Sequence, residues 1–528
     1  MNLPIISWYS GGTSGADAVA LETPKDVQRW WARTDGAGTG GWRAWLLPAA
    51  LVSVAAAMRL VGPGAFPEIE ADEGLWTNSS KNFVVFGDWF MDGRTHMLLS
   101  PLFHSLSVLL FRALGPGIAT ARLLSGAAGA LSVLLLYVLV LRTSGRRDVA
   151  LVAAVLFGIN QWTTVLSRRA LIEAVELCAI LGAAVLVAGR GRWSAAAAGA
   201  VTALALLAKV NAAFFLGVLG LYMLLPAAGA EDGLRRRIGR TLVFGVIAVV
   251  LAAAAYGALY RLYPDRFVAA FVFELDGEHF EGLSDPVIRV GRFGLDPEQA
   301  SRTILALVRE SPFLLVLAFL GAAVWLVLRP RGAALYALWL GIGGSYLLGQ
   351  MFQPLRYFYL VAPAFAYFGA LAIVRLANGL ADRRSRLVGA IALAVYCGFE
   401  TAYLGANALA NRGTMLDAVV GWVLENTRPD ARIMAAGYFC TDLPRRAYAH
   451  YLYSSDAAHL LSSIGELEID YVIVDDAEWP RELREAVAAR FERVHSWTFG
   501  AVYRARQAEP AAVDAAPAGT SALPPPPG

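Results

Sequence analysis

The sequence predicts a polytopic α-helical membrane protein with a small extracytoplasmic α/β domain at its C-terminal end. Three observations predict it. Of the 528 residues, 57% are hydrophobic and only 16% charged, and the mean hydropathy is +0.52, too apolar for a soluble chain of this length. About eleven apolar runs reach the roughly 17 to 25 residues that cross a bilayer as helix. Residues 412–507 then change character, alternating helix-like stretches with short apolar runs such as "RIMAAG" and "IDYVIVDD" that read as strands closed by turns.

Residues 1–43 are polar and rich in Gly, Ser and Thr, which predicts a mostly flexible cytoplasmic segment. The first apolar run, "AWLLPAALVSVAAAMRLVG" from Ala44, lacks a small-residue cleavage site and reads as an uncleaved signal anchor. Further runs begin near Ile118, Val149, Ala170, Ser194, Ala212, Thr241, Pro312, Ala333, Tyr357 and Leu387, so the membrane domain occupies 44–408. A twelfth candidate, "LLSPLFHSLSVLLFRALG" from Leu98, is short and interrupted by Pro101, His104 and serines.

The positive-inside rule decides the status of that candidate. If it crossed, "RTSGRR" from Arg142 would lie outside and the basic loops would change sides. If it re-enters or lies in the interface, "RTSGRR", "GRGRW", "LRRRIGR", "RPRG" and "DRRSR" share the cytoplasmic side with Arg29, Arg33 and Arg43. The second arrangement is the coherent one, and such a helix is tolerated where it lines a protein cavity. The external loops are then 63–117 and 263–311, the second partly helical. The α/β domain follows outside, and the Pro/Ala-rich stretch 508–528 is a disordered tail.

Composition also excludes classes. A net charge of +3 gives no reason to expect a nucleic-acid partner. Cys178, Cys397 and Cys440 form neither a CxxC knuckle nor a paired framework. No Gly-rich nucleotide-binding loop is present.

Ionisable residues collect instead on the external side. "FPEIEADEGLWTNS" places Glu68, Glu70, Asp72 and Glu73 where the chain leaves the first run. Acids there also serve as ordinary helix caps, so the stretch by itself says little. Glu173 says more: it opens an apolar helix with Glu176 one turn on, and acids inside apolar spans are penalised. Lys209 in "LLAKVNAAFF" and Arg356 in "QPLRYFYLVAP" are basic counterparts. Acids at 72, 73 and 173 with bases at 168, 209 and 356 suit a reaction in which a carboxylate activates a hydroxyl while cations hold a departing phosphate.

The ordered set of motifs carries a family resemblance. Asp72-Glu73, "GDW" from Gly87, the Pro-bearing "SPLFHSLSVLLFRALG", "ATARLLSGAAGALSVLLLYVLVLR", "LSRRALIE", "LLAKVNAAFF" and "LRYFYLVAP" together resemble the C-type (GT-C) membrane glycosyltransferases. The branch is that of the protein O-mannosyltransferases and lipid A aminoarabinose transferases, over roughly residues 44 to 380. The resemblance implies an inverting transferase that moves a sugar from a polyprenyl-phosphate carrier to a hydroxyl-bearing extracytoplasmic acceptor (protein, lipid or glycan). It implies a multi-pass enzyme of the bacterial inner membrane, working in the cell envelope. By position it makes Asp72 the catalytic acid of the first loop, with Glu73 beside it, and Glu173 the acid of the second. It assigns Arg168, Lys209, Arg356 and Tyr357 to substrate binding. Two departures stand out: Ser100-Pro101 replaces a Pro-Pro pair, and Glu replaces the family's usual Asp at 173.

His104, close to the first loop, joins the substrate-contact candidates, and His96 and His104 leave a divalent cation open without supplying ligand spacing. Neutralisation of Glu68 or Glu70 is expected to be nearly silent. The C-terminal domain is assigned to acceptor recognition or to a lid. Asp475 and Asp476 read as turn chemistry rather than a metal site. A transporter or flippase of lipid-linked saccharides is the rival reading, which charge on both faces of the membrane would favour.

Overall fold

The computed structural model describes residues 45–90, 95–189, 193–226, 233–276, 288–290, 293–328, 330, 332–350, 353–378, 383–410, 415–428, 431–435, 447–450, 461, 464, 468–475, 479, 481–497 and 500–505. The N-terminal segment 1–43, the tail 508–528, Cys440 and Asp476 lie outside the described residues.

Helix α1 (Leu46–Leu60) leads through a turn to α2 (Ala71–Phe86). The stretch read as a re-entrant or interfacial element forms α3 (His96–Leu99) and α4 (Pro101–Leu114), with Pro101 at the start of α4, where its missing N–H costs nothing. There follow α5 (Ile118–Ser144), α6 (Arg147–Ile159), α7 (Gln161–Arg168), α8 (Ile172–Val187), α9 (Ser194–Ala208), α10 (Ala213–Leu224) and α11 (Leu234–Leu262). The segment read as the second external loop contains α12 (Pro264–Asp276), a hairpin of β1 (Ile288–Val290) with β2 (Phe293–Leu295), and α13 (Pro297–Glu310). Then come α14 (Pro312–Leu328), α15 (Ala333–Leu338), a π-helical turn (Trp339–Gly343), α16 (Gly344–Leu348), a 3-10 turn (Leu355–Val361), α17 (Ala362–Asn378) and α18 (Arg383–Ala410).

Among the described residues, Ile118–Ser144, Leu234–Leu262, Leu355–Asn378 and Arg386–Leu409 are long and apolar enough to cross a membrane. Two further pairs qualify jointly but are bent, α6 with α7 by 58° and α13 with α14 by 108°. The first bend falls at Asn160, whose Oδ1 accepts the Thr163 N–H at 3.0 Å and so caps α7 afresh. In α11 and α18 only 17% of the apolar window is buried. Side chains such as Leu242, Val246 and Val250 on α11 and Val388, Ile391 and Val395 on α18 face outward. Such surfaces suit hydrocarbon, not water. The chain is a multi-pass membrane protein.

One end of the bundle gathers the basic loops. Arg142 Nη1 donates to the Val185 carbonyl at 2.8 Å, and Arg240 Nη2 to the Gly189 carbonyl at 2.9 Å. Gly332 lies so close to Thr143 that a Cβ on it would sit 2.3 Å from the Thr143 carbonyl oxygen.

Beyond α18, α19 (Met415–Asn426), β3 (Arg432–Ala435), β4 (Ala447–His450), β5 (Tyr471–Asp475), α20 (Arg481–Arg490), β6 (Phe491–Trp497) and β7 (Gly500–Ala505) form an α/β unit. Its sheet order is β4-β3-β5-β7-β6, parallel among the first three strands and antiparallel at β7 and β6. Strand alternation sorts Ile433 and Ile473 onto one face with Val419 and Val423, and Met434, Val472 and Val474 onto the other with Leu483 and Val487. The first face reaches beyond the unit: Ile69, in the loop before α2, packs against it.

Candidate active site

The acidic loop is fixed first by a carboxylate that is fully enclosed. Glu73 accepts from Arg122 Nη2 and Nε at 2.7 Å each, from the Ala170 N–H at 2.7 Å and from the Glu70 N–H at 3.0 Å. The last contact caps α2 and places Glu70 at its N-cap, two residues earlier than Asp72 and Glu73 as caps would have it. Both oxygens of Glu73 are thus engaged in holding α2 against α5 and the start of α8. Its contacts tie the loop to its neighbours.

A second arginine makes a comparable clamp. Arg168 donates to the carbonyls of Phe66 (2.9 Å), Met58 (2.6 Å), Val61 (3.0 Å) and Gly62 (2.8 Å), closing the turn after α1. Of the two adjacent arginines it is Arg169, not the expected Arg168, that reaches the acidic loop, at Glu70. His104 also stands apart, buried with Nδ1 2.8 Å from Ser80 Oγ, beside Trp76, Trp89 and Phe103.

The remaining candidates converge. Asp72 lies in the first turn of α2, Glu173 in the first turn of α8, Lys209 at the C-terminal end of α9, and Arg356 in the 3-10 turn before α17. Acids at helix N-termini and a lysine at a C-terminus each complement the local helix dipole. Lys209 Nζ donates to Glu173 Oε1 at 2.8 Å and stands 3.8 Å from the centre of the Tyr357 ring. Arg356 contacts Asp72 through Nη2, Glu70 Oε1 through Nη1 at 3.1 Å, and lies 3.7 Å from Glu173 Oε1 through Nε. Three acids (Glu70, Asp72, Glu173) therefore face three cations (Arg169, Lys209, Arg356).

Glu70, which the sequence reading grouped with Glu68, belongs to this group through Arg169 and Arg356, whereas Glu68 is exposed. Burial raises the Glu70 carboxyl above its usual value although Arg169 and Arg356 both pull it down. Glu173 Oε2 accepts no hydrogen bond among the described residues, and the Asp72 side chain keeps 23% exposure. One carboxylate is therefore approachable from outside and the other lies deeper, with cations between them.

From the 3-10 turn that carries Arg356, Phe358 and Val361 line an apolar cavity of about 590 Å³, closed by Leu307, Leu315, Phe319 and Phe365. The turn that carries Arg356 thus also supplies part of the wall of a space suited to hydrocarbon.

This chain path has counterparts among solved structures. ArnT from Cupriavidus metallidurans bound to undecaprenyl phosphate superposes with a TM-score of 0.63 at 14% identity, covering 87% of this chain and 97% of that one. The fold is that of the C-type membrane glycosyltransferases. The apo state of the same ArnT gives 0.62 at 13% identity, over 87% and 96%. The Archaeoglobus fulgidus oligosaccharyltransferase, in complex with Zn and sulfate, gives 0.53 at 14% identity, over 87% and 73%. Residues 115–263 match the family model of dolichyl-phosphate-mannose-protein mannosyltransferases. No curated protein matches the chain by sequence.

Within this C-type fold the donor set does not suit a metal. Among the described residues no three His, Cys, Asp or Glu side chains converge on one point. His104 is bonded to Ser80, while Asp72, Glu70 and Glu173 face cations.

Proposed function

We propose that the protein is an inverting glycosyltransferase that moves a sugar from a polyprenyl-phosphate donor to a hydroxyl on an extracytoplasmic acceptor. The convergence of Asp72, Glu173, Lys209 and Arg356 beside an apolar cavity carries this reading. The opposite end of the bundle gathers the basic loops, which supports an outward-facing site on a chain crossing a bacterial inner membrane about eleven times. The acid–cation cluster of Glu70, Asp72, Glu173, Arg169, Lys209 and Arg356 gathers in one place and not along a path across the bilayer, which speaks against a transporter.

In the reaction, the acceptor hydroxyl attacks the anomeric carbon from the face opposite the phosphate. The new glycosidic C–O bond forms as the bond to the phosphate oxygen breaks, and the electron pair leaves with the phosphate. Asp72 takes the hydroxyl proton, while Arg356 and Lys209 neutralise the charge that develops on the departing phosphate. Tyr357 holds the lysine against its ring face. The polyprenyl tail occupies the apolar cavity, and the C-terminal unit receives the acceptor or covers the site.

Deleting the chain and comparing envelope glycans identifies the acceptor. Membranes carrying Asp72→Asn then transfer labelled sugar to it more slowly by at least about 10²-fold, the scale of lost general-base catalysis. Transfer at the wild-type rate would remove Asp72 as the base.

A further inference from the structure

Both Nη groups of Arg356 already meet carboxylates, while Nε, 3.7 Å from Glu173, carries no hydrogen bond among the described residues. Nη2 meets Asp72 and Nη1 meets Glu70. A phosphate oxygen accepts hydrogen bonds from a guanidinium with the same geometry as a carboxylate oxygen, so phosphate and carboxylate compete for one edge. For a donor phosphate to be held by both Nη groups at the end of the guanidinium, one carboxylate must leave.

The contacts decide which one. Glu173 keeps Lys209 at 2.8 Å if it loses Arg356, and its side chain is 4% exposed. Glu70 keeps Arg169. Among the described residues Asp72 has no second cation, and at 23% it is more exposed than the 12% of Arg356 itself. It is the carboxylate whose departure costs least.

We propose that Asp72 is the resting occupant of the donor-phosphate position on Arg356, and that the incoming phosphate displaces it and thereby releases the base. This rests on the glycosyltransferase reading and gives it an order: donor first, acceptor second. While the donor is absent the base stays tied to a guanidinium and cannot take a proton. When phosphate takes Nη2, the freed carboxylate lies within one side chain's reach of the sugar that the phosphate carries.

The expected consequence runs against intuition, because removing the catalytic base improves donor binding. Undecaprenyl phosphate, without sugar, is titrated into the purified full-length chain in nanodiscs. Asp72→Asn and Asp72→Ala bind it about tenfold more tightly than wild type, the scale of one charged hydrogen bond no longer competed for. Asp72→Glu keeps the competing anion and binds as wild type does. Glu68→Gln makes the same charge change on the exposed part of the same loop and also binds as wild type, which separates direct competition from a general charge effect.

A measurement on wild type needs no variant: carbodiimide labelling of the Asp72 carboxyl, read by mass spectrometry, rises when undecaprenyl phosphate is bound. If wild type binds and Asp72→Asn binds no more tightly, or if labelling falls, the displacement is overturned and the transferase reading stands. If wild type does not bind undecaprenyl phosphate at all, both fall.

Discussion

At the scale of residues, the acids of the first loop divide by what they face, and each division has a measurable sign. Glu73 is enclosed with Arg122 at 2.7 Å. Removing one partner of a fully buried pair strands the other charge, so Arg122→Leu destabilises the protein by about 3 to 5 kcal/mol. Thermal unfolding in detergent measures it, and restored stability in Arg122→Leu with Glu73→Leu identifies the stranded charge as the cause. Glu70 behaves differently, because burial raises its carboxyl above the model-peptide value of 4.5. The folded state then holds the proton more tightly than the unfolded state, so this group's stabilisation is full below about pH 4.5 and is lost as pH rises through the raised value. Wild type should therefore lose stability relative to Glu70→Gln across that interval, and a wild type that gains stability relative to the variant there would contradict the assignment. The sequence made Asp72, Glu173, Lys209 and Arg356 legible because charges next to apolar runs are conspicuous. It could not single out Glu70 within a run of four acids, since spacing does not say which carboxylate turns inward. Nor could it separate Arg168 from Arg169, whose positions differ by one residue at a helix end and point to different partners.

At the scale of elements, the expected run starts at Ile118, Ser194, Pro312 and Ala333 coincide with helix starts, because hydrophobic length is local information. The interruptions were less legible. The break at Asn160 depends on Glu400, which accepts from the Asn160 side chain at 3.1 Å and from the Gln161 N–H at 2.8 Å, contacts from a helix far along the chain. Close crossings depend equally on distant residues. At Gly321 on α14 an added Cβ would lie 1.7 Å from the Phe368 carbonyl oxygen on α17. Small residues at such crossings let helix backbones approach, which in a membrane replaces much of the hydrophobic drive for association. Gly321→Ala forces the two helices apart and should cost about 1 to 3 kcal/mol, the usual price of overpacking, whereas Gly217→Ala, with nothing within 4 Å, should be nearly neutral. Parallel thermal unfolding of the two variants checks the contrast.

At the scale of the whole molecule, the ends of the bundle are chemically unlike, and that polarity was readable from the sequence through its basic loops. It gives a topological test: a cysteine introduced at Ser144 should be labelled from the cytoplasmic side only. Labelling from outside alone would reverse the orientation of the segments that follow α4. The contacts across the chain were not readable in this way, because nothing local to Asp72 names Arg356. The link through Ile69 has a bearing on when the enzyme becomes complete. That side chain precedes Glu70 directly and packs both against Phe111, Ile118 and Ala170 and against a cluster with Val423, Ile433 and Val502, near the other end of the sequence. A ribosome delivers α2 to the membrane long before it delivers those residues. Until the last strand is made, the loop that carries Asp72 lacks that contact, so a chain whose synthesis stops early brings its acidic loop to the membrane without it.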